Sequence, residues 1–194
     1  MIKTRTDIIN YLIKKYDYDT YLEIGVSKGK NFRAVDIRYK DGADPNFPCK
    51  FKMTSDKFFE QNKMFYNIIF IDGLHLENQV MKDINNSLSF ITPNGVIVVH
   101  DCNPSNESNQ TEVVTRFWTG TVWKAWARQR ITKPDLYMCV VDIDWGVGII
   151  RPGKQEPLHL LGNYGLDNLD YQFFDRNRKN LLNLISVEEF TKKF

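Results

Sequence analysis

The sequence predicts an α/β protein: a doubly wound, mostly parallel sheet with an antiparallel edge strand and C-terminal helices. Three observations predict it. The run Tyr66-Asn-Ile-Ile-Phe-Ile71 is stopped by Asp72-Gly73, and Val96-Ile-Val-Val99 is stopped by His100-Asp101. Between these runs Val80, Met81, Ile84 and Leu88 recur at helical spacing, so a crossover helix joins two strands buried on both faces. An earlier apolar strand, Tyr21–Ile24, ends in the loop Gly25-Val-Ser-Lys-Gly29 and leads to a short helix near Lys30.

The remaining elements follow in order. Thr6-Asp7 is placed to cap a first helix whose Ile8, Ile9, Leu12 and Ile13 share one face. Arg38 to Ala43 reads as a polar strand that must finish at Asp44-Pro45, because proline has no ladder donor. Cys49 to Met53 is a short strand candidate, and Thr54-Ser55-Asp56 starts a helix with Phe58 and Phe59 turned inward. The turn Thr92-Pro-Asn-Gly95 precedes the Val96 strand. Cys102 to Asn109 is a polar loop, and Glu112 to Arg130 reads as a helix interrupted at Gly120. Leu136–Asp142 and Trp145–Ile150 form a tightly joined antiparallel pair, and the chain from Tyr171 packs as helices. Arg176, Arg178 and Lys179 read as a solvated face.

With 194 residues the chain is expected to form one domain, 1–194. Hydrophobic residues at 42% and charged residues at 26% suit an ordinary globular protein. A net charge of +2 gives no strong field for nucleic acid or an anionic membrane. No apolar run approaches the ~18 residues of a spanning helix. The polar start Met1-Ile-Lys-Thr-Arg-Thr-Asp7 is no signal peptide. Cys49, Cys102 and Cys139, an odd number without C-x-x-C spacing, read as reduced thiols in a cytoplasmic protein.

Chemistry in such a sheet sits beyond the carboxyl ends of the strands. Five ends carry polar groups here: Glu23, Asp44, the Thr54–Asp56 turn, Asp72 with His75, and His100-Asp101. The Gly25–Gly29 loop reads either as a nucleoside-cofactor loop or as a tight βα turn; a carboxylate at Glu23 needs a partner in both cases. Asp44 follows Gly25 by 19 positions, close to the ~20-residue offset of a ribose-binding acid. His75 reads as a functional group or as a helix-start residue bonded to a carbonyl. His100 reads as a packed strand residue, facing away from Asp101 in a regular strand. His159 carries no signal.

The stretches Leu22-Glu-Ile-Gly-Val-Ser-Lys-Gly29, Gly42-Ala-Asp-Pro45, Ile71-Asp-Gly-Leu-His75 and Gly95-Val-Ile-Val-Val-His-Asp101 resemble class I S-adenosylmethionine-dependent methyltransferases. More narrowly, they resemble small bacterial members with an Asp-Gly-x-His strand end, related to sugar and macrolide O-methyltransferases. The resemblance implies a Rossmann-like fold with S-adenosylmethionine as cofactor. It implies that Glu23, Gly25 and Gly29 shape the methionine pocket, Asp44 binds the ribose hydroxyls, and Ser55 or Asp56 lies near the adenine. Asp72 would face the methionine moiety or the reacting centre.

The acceptor this implies is a hydroxyl of a sugar or secondary metabolite. His75 and Asp101 are the candidate catalytic groups, as a base or beside Mg²⁺, with Asn103 completing an oxygen-rich shell. Two departures stand out: the short segment after Gly29, and Asn94 where a glycine is common. Gly73-Leu-His-Leu76 is unlike the Asn-Pro-Pro-aromatic run of amino-directed DNA methyltransferases.

Two other functions compete. A nicotinamide-dependent oxidoreductase would share Asp44, but Gly25-Val-Ser-Lys-Gly29 lacks the central glycine of G-x-G-x-x-G. A non-catalytic methyltransferase-like binding module is the other. Trp118, Trp123 and Trp126, with Arg116 and Lys124, mark either an acceptor-facing surface or a core and self-association surface.

Overall fold

A computed structural model of the chain describes residues 1–155, 158 and 169–194; His159 lies outside the described residues. Helix α1 (Arg5–Tyr16) starts two residues earlier than the sequence suggests. Thr4, not Thr6, accepts from the Asp7 amide, and the Asp7 carboxylate answers the Thr4 backbone. Its Ile8, Ile9, Leu12 and Ile13 are buried as expected.

Strand β1 (Thr20–Ile24) leads through the glycine loop to α2 (Lys30–Ala34), only five residues long, and then to β2 (Tyr39–Ala43). The strand expected over Cys49–Met53 does not form; Phe51 makes a single bridge to Ala43. Helix α3 (Ser55–Gln61) is capped by Thr54 and buries Phe58 and Phe59. β3 (Tyr66–Ile71), α4 (Glu77–Phe90) and β4 (Ile91–Val99) form the predicted crossover unit. In β4 the register jumps from Ile91 opposite Tyr66 to Val96 opposite Ile68. The Thr92–Gly95 turn is therefore an excursion within one strand.

The segment after β4 is irregular except for a short 3₁₀ turn, Glu107–Asn109. Helix α5 (Val122–Thr132) begins well after the expected Glu112, because the chain turns left-handed at Gly120. β5 (Leu136–Val141) and β6 (Val147–Pro152) form the antiparallel pair; α6 (Tyr171–Leu182), β7 (Leu184–Ile185) and α7 (Val187–Lys193) follow.

Among the described residues the sheet has seven strands in the order β2-β1-β3-β4-β6-β5-β7. β6 runs antiparallel to β4 and β5, and the other pairings are parallel. Alternate residues feed two cores. Leu22, Ile69, Ile71, Ile97 and Val99 meet α3 to α6, while Tyr21, Ile68, Phe70, Val96 and Val98 meet α1 and α7. The order reverses between β1 and β3, where Ile24 pairs with Ile71. This switch point opens a crevice beyond the strand ends. Among the described residues no helix is long and apolar enough to cross a membrane.

Candidate active site

The first wall of the crevice is made by backbone. Gly25 has φ +86°, and a Cβ there would lie 2.2 Å from the Asp72 carbonyl oxygen. The ends of β1 and β3 therefore touch main chain to main chain, which alone requires glycine. The Asp44 carboxylate is held by backbone N–H groups: Oδ2 accepts from Ser27 at 2.8 Å, and Oδ1 from Asn46 at 2.8 Å and Phe47 at 3.0 Å. Ser27 takes a left-handed conformation to reach it. A cavity of about 660 Å³ opens in front, lined by Gly25, Asp44, Ser55, Asp56, Asp72 and His75 among others.

Three predicted residues lie outside that lining: Asp101, and two behind the first wall, Glu23 and Gly29. Glu23 is 1% exposed, and its Oε2 accepts from the Tyr21 hydroxyl and the Asn31 amide. Burial pushes its pKa up to about 7, against the lowering effect of those hydrogen bonds. Gly29 caps α2 in a left-handed turn, with Arg33 beside it.

The second wall is made by side chains. His75 Nε2 lies 3.2 Å from Asp72 Oδ1, and its Nδ1 lies 3.3 Å from Asp101 Oδ2. Asp101, which does not line the cavity, sits just past β4 with φ +61°. The chain is no longer extended there, so His100 does not face away from Asp101 as a regular strand predicts. Instead its Nδ1 is 3.0 Å from Asp101 Oδ2 and 3.3 Å from Asp72 Oδ1. Arg5 and Asp144, which the sequence did not single out, complete the group. Arg5 Nη1 is 3.1 Å from both His100 Nε2 and Asp144 Oδ2.

Burial alone would raise the Asp72 pKa, but His100 and His75 outweigh it and hold the carboxyl well below the usual range. Burial likewise opposes charge on both imidazoles, yet the facing carboxylates raise their pKa values.

The tryptophans divide. Trp123 and Trp126 are fully buried core residues. Trp118 stacks on His75, with centroids 4.9 Å apart and planes 17° from parallel. The segment behind it is pinned by Thr121, whose N–H donates to the His75 carbonyl at 2.8 Å; a Cβ on Gly120 would meet that oxygen at 2.1 Å. Arg178 is not a free solvated side chain: it donates to Asn103 Oδ1, the Pro104 carbonyl and the Tyr171 hydroxyl. Asn103 also donates to Asp142, so it is turned away from the expected metal shell. The local signal for Asp144 was the acidic turn Asp142-Ile-Asp-Trp-Gly146 between two strands. Arg5 carried none.

A methyltransferase-domain family model matches residues 30–102. Among curated proteins none matches the sequence. Several solved structures share the fold. A candidate caffeoyl-CoA O-methyltransferase from Staphylococcus aureus is 20% identical over 79% of this chain and 86% of its own, with a TM-score of 0.59. The O-methyltransferase TomG of Streptomyces achromogenes, in complex with S-adenosylmethionine, is 10% identical over 77% and 79%, with a TM-score of 0.58. The O-methyltransferase of Bacillus cereus, in complex with S-adenosylhomocysteine, is 11% identical over 75% and 78%, with a TM-score of 0.54. Residues 30–102 thus match a methyltransferase-domain model, and the chain shares the Rossmann-like fold of these solved O-methyltransferase structures.

Proposed function

We propose that this protein moves the methyl group of S-adenosylmethionine to a hydroxyl of a small-molecule acceptor, a sugar or secondary metabolite. The observation that carries this reading is His75 between two carboxylates at the end of a cofactor-sized cavity. Asp44 takes the ribose hydroxyls, Ser55 and Asp56 flank the adenine, and Gly25 and Asp72 border the methionine end. Glu23 and Gly29 support that end from behind, one through the Asn31 network and the other through the turn into α2.

The reaction is an in-line displacement. The acceptor oxygen attacks the methyl carbon, the C–S bond breaks, and S-adenosylhomocysteine leaves. Alignment supplies much of the rate. His75, set between Asp72 and Asp101, takes the hydroxyl proton, and the two carboxylates stabilise the imidazolium that forms. Donor atoms of Asp72, His75 and Asp101 lie within 4.8 Å of one another, a set that fits Mg²⁺ held by the two carboxylates with waters completing its shell. Bound there, Mg²⁺ would lower the acceptor hydroxyl's own pKa.

A structural neighbour, MycE methyltransferase, was crystallised with Mg, S-adenosylhomocysteine and the macrolide mycinamycin VI; it is 13% identical over 80% of this chain and 50% of its own, with a TM-score of 0.50. An acceptor of that kind suits the exposed apolar side chains near the site, Leu74 and the stacked Phe117 and Trp145. The unpaired cysteines agree with a cytoplasmic setting. The sheet runs from Thr20 to Ile185, in keeping with one domain.

A thermal-shift comparison of S-adenosylmethionine with NAD and NADP, followed by methyl transfer to hydroxylated acceptors with and without EDTA, tests the proposal. Stabilisation by S-adenosylmethionine and turnover of a hydroxyl acceptor are expected. Stabilisation by a nicotinamide cofactor alone overturns it, and EDTA-resistant turnover removes the metal.

A further inference from the structure

One amide beside the cavity has its orientation fixed from the protein side. Gln79, in the first turn of α4, lines the cavity. Its Nε2 lies within hydrogen-bond distance of three oxygens, Asp56 Oδ1 at 2.9 Å, Asp83 Oδ1 at 3.1 Å and Ser55 Oγ at 3.2 Å, and its two hydrogens serve the carboxylates. Two of these are carboxylate oxygens, which accept only. A flipped amide would set its oxygen against both anions, so the NH₂ end faces them and Oε1 faces the other way. Asp83 is 1% exposed, and its Oδ2 is buried without a hydrogen-bond partner. A carboxylate is costly in such a place, and this one holds the cavity-lining amide of Gln79. With Asp44 at the ribose, as proposed above, the base would lie beyond it against the first turn of α3, where Ser55, Asp56 and the Gln79 amide meet.

We infer that Gln79 Oε1 accepts a hydrogen bond from the exocyclic amino group of the cofactor's adenine, and that Asp83 is a positioning residue that keeps the amide turned for it. The inference rests on the S-adenosylmethionine reading above. Gln79 then distinguishes an adenine from a purine that carries an oxo group at the same position, since two acceptor oxygens would face each other.

The probes are S-adenosylhomocysteine and S-inosylhomocysteine, measured by calorimetry at pH 8. Both carboxylates are ionised there, since burial raises Asp83 only to about 6. The unaltered protein should bind the adenosyl compound at least about tenfold more tightly, the scale of one buried hydrogen bond lost with its acceptor left unpaired. In Gln79→Leu the ratio should fall to within about threefold of one. Asp83→Asn, which lets the amide flip, should give an intermediate ratio. Equal binding of both compounds by the unaltered protein, or an undiminished ratio in folded Gln79→Leu, overturns the inference. An undiminished ratio in Asp83→Asn overturns the positioning role. If the unaltered protein binds neither compound, the cofactor reading itself has failed.

Discussion

Asp44 and Asp72 are both carboxylates just past the end of a parallel strand, and they are solved in opposite ways. Asp44 is satisfied by three backbone N–H groups of its own and the neighbouring loop. Those contacts fix its orientation and leave it lone pairs to offer to a ligand. Asp72 faces side chains instead: two imidazoles and, at 3.8 Å, the Arg5 guanidinium. His75 Nδ1 and His100 Nδ1 are buried there without a well-formed hydrogen bond. The first arrangement suits recognition. The second gathers titratable side chains against one another, which suits chemistry.

The largest expected effect breaks the chemical side alone. His75→Ala should lower turnover by about 10²–10⁴-fold, the usual contribution of a positioned base, and Asp101→Asn should fall in the same direction. Calorimetric affinity for S-adenosylhomocysteine should stay within a few-fold in both. Full activity in both variants would remove these two groups and leave alignment as the mechanism.

Next comes Gly25→Ala, which tests whether the recognition side is built by backbone contact. The added methyl would sit 2.2 Å from the Asp72 carbonyl, so destabilisation of more than about 3 kcal/mol is expected. Melting and cofactor binding should fail together. Normal melting with lost binding would show that the glycine is needed by the ligand alone.

Glu23→Gln probes the region behind that wall. The Glu23 pKa rises from 4.5 to about 7 on folding, so between those values the unfolded chain releases a proton that the folded chain keeps. Stability therefore falls as pH rises through this window, by about 3 kcal/mol in all. Glu23→Gln should flatten that part of the profile in urea unfolding at pH 5 and pH 8; an unchanged difference would show that Glu23 is ionised throughout.

The smallest effect sharpens the comparison. Asp44→Asn keeps the shape but removes the charge and one acceptor, and should weaken S-adenosylmethionine binding by about tenfold while the protein stays folded. Unchanged affinity would confine Asp44 to a loop-holding role.

The sequence by itself determined the strands and where they end. Ile68–Ile71 and Val96–Val99 are long enough in apolar residues to be buried on both faces, and Gly25, Asp44, Asp72 and Asp101 each stand just past the end of a strand. These strand ends are local signals, written in consecutive residues. Helix limits after Gln110 were less legible, because the Trp118 contact with His75 and the left-handed Gly120 override helical propensity. Only the tertiary structure decided what meets at the second wall. His100 joins it because Asp101 leaves the extended conformation, and Arg5 and Asp144 arrive from α1 and the β5–β6 turn. Trp123 and Trp126 went to the core and Trp118 to the site for the same reason. A side chain's neighbours across a sheet are set by strand order and backbone handedness, and neither is encoded in the spacing of the residues that finally touch.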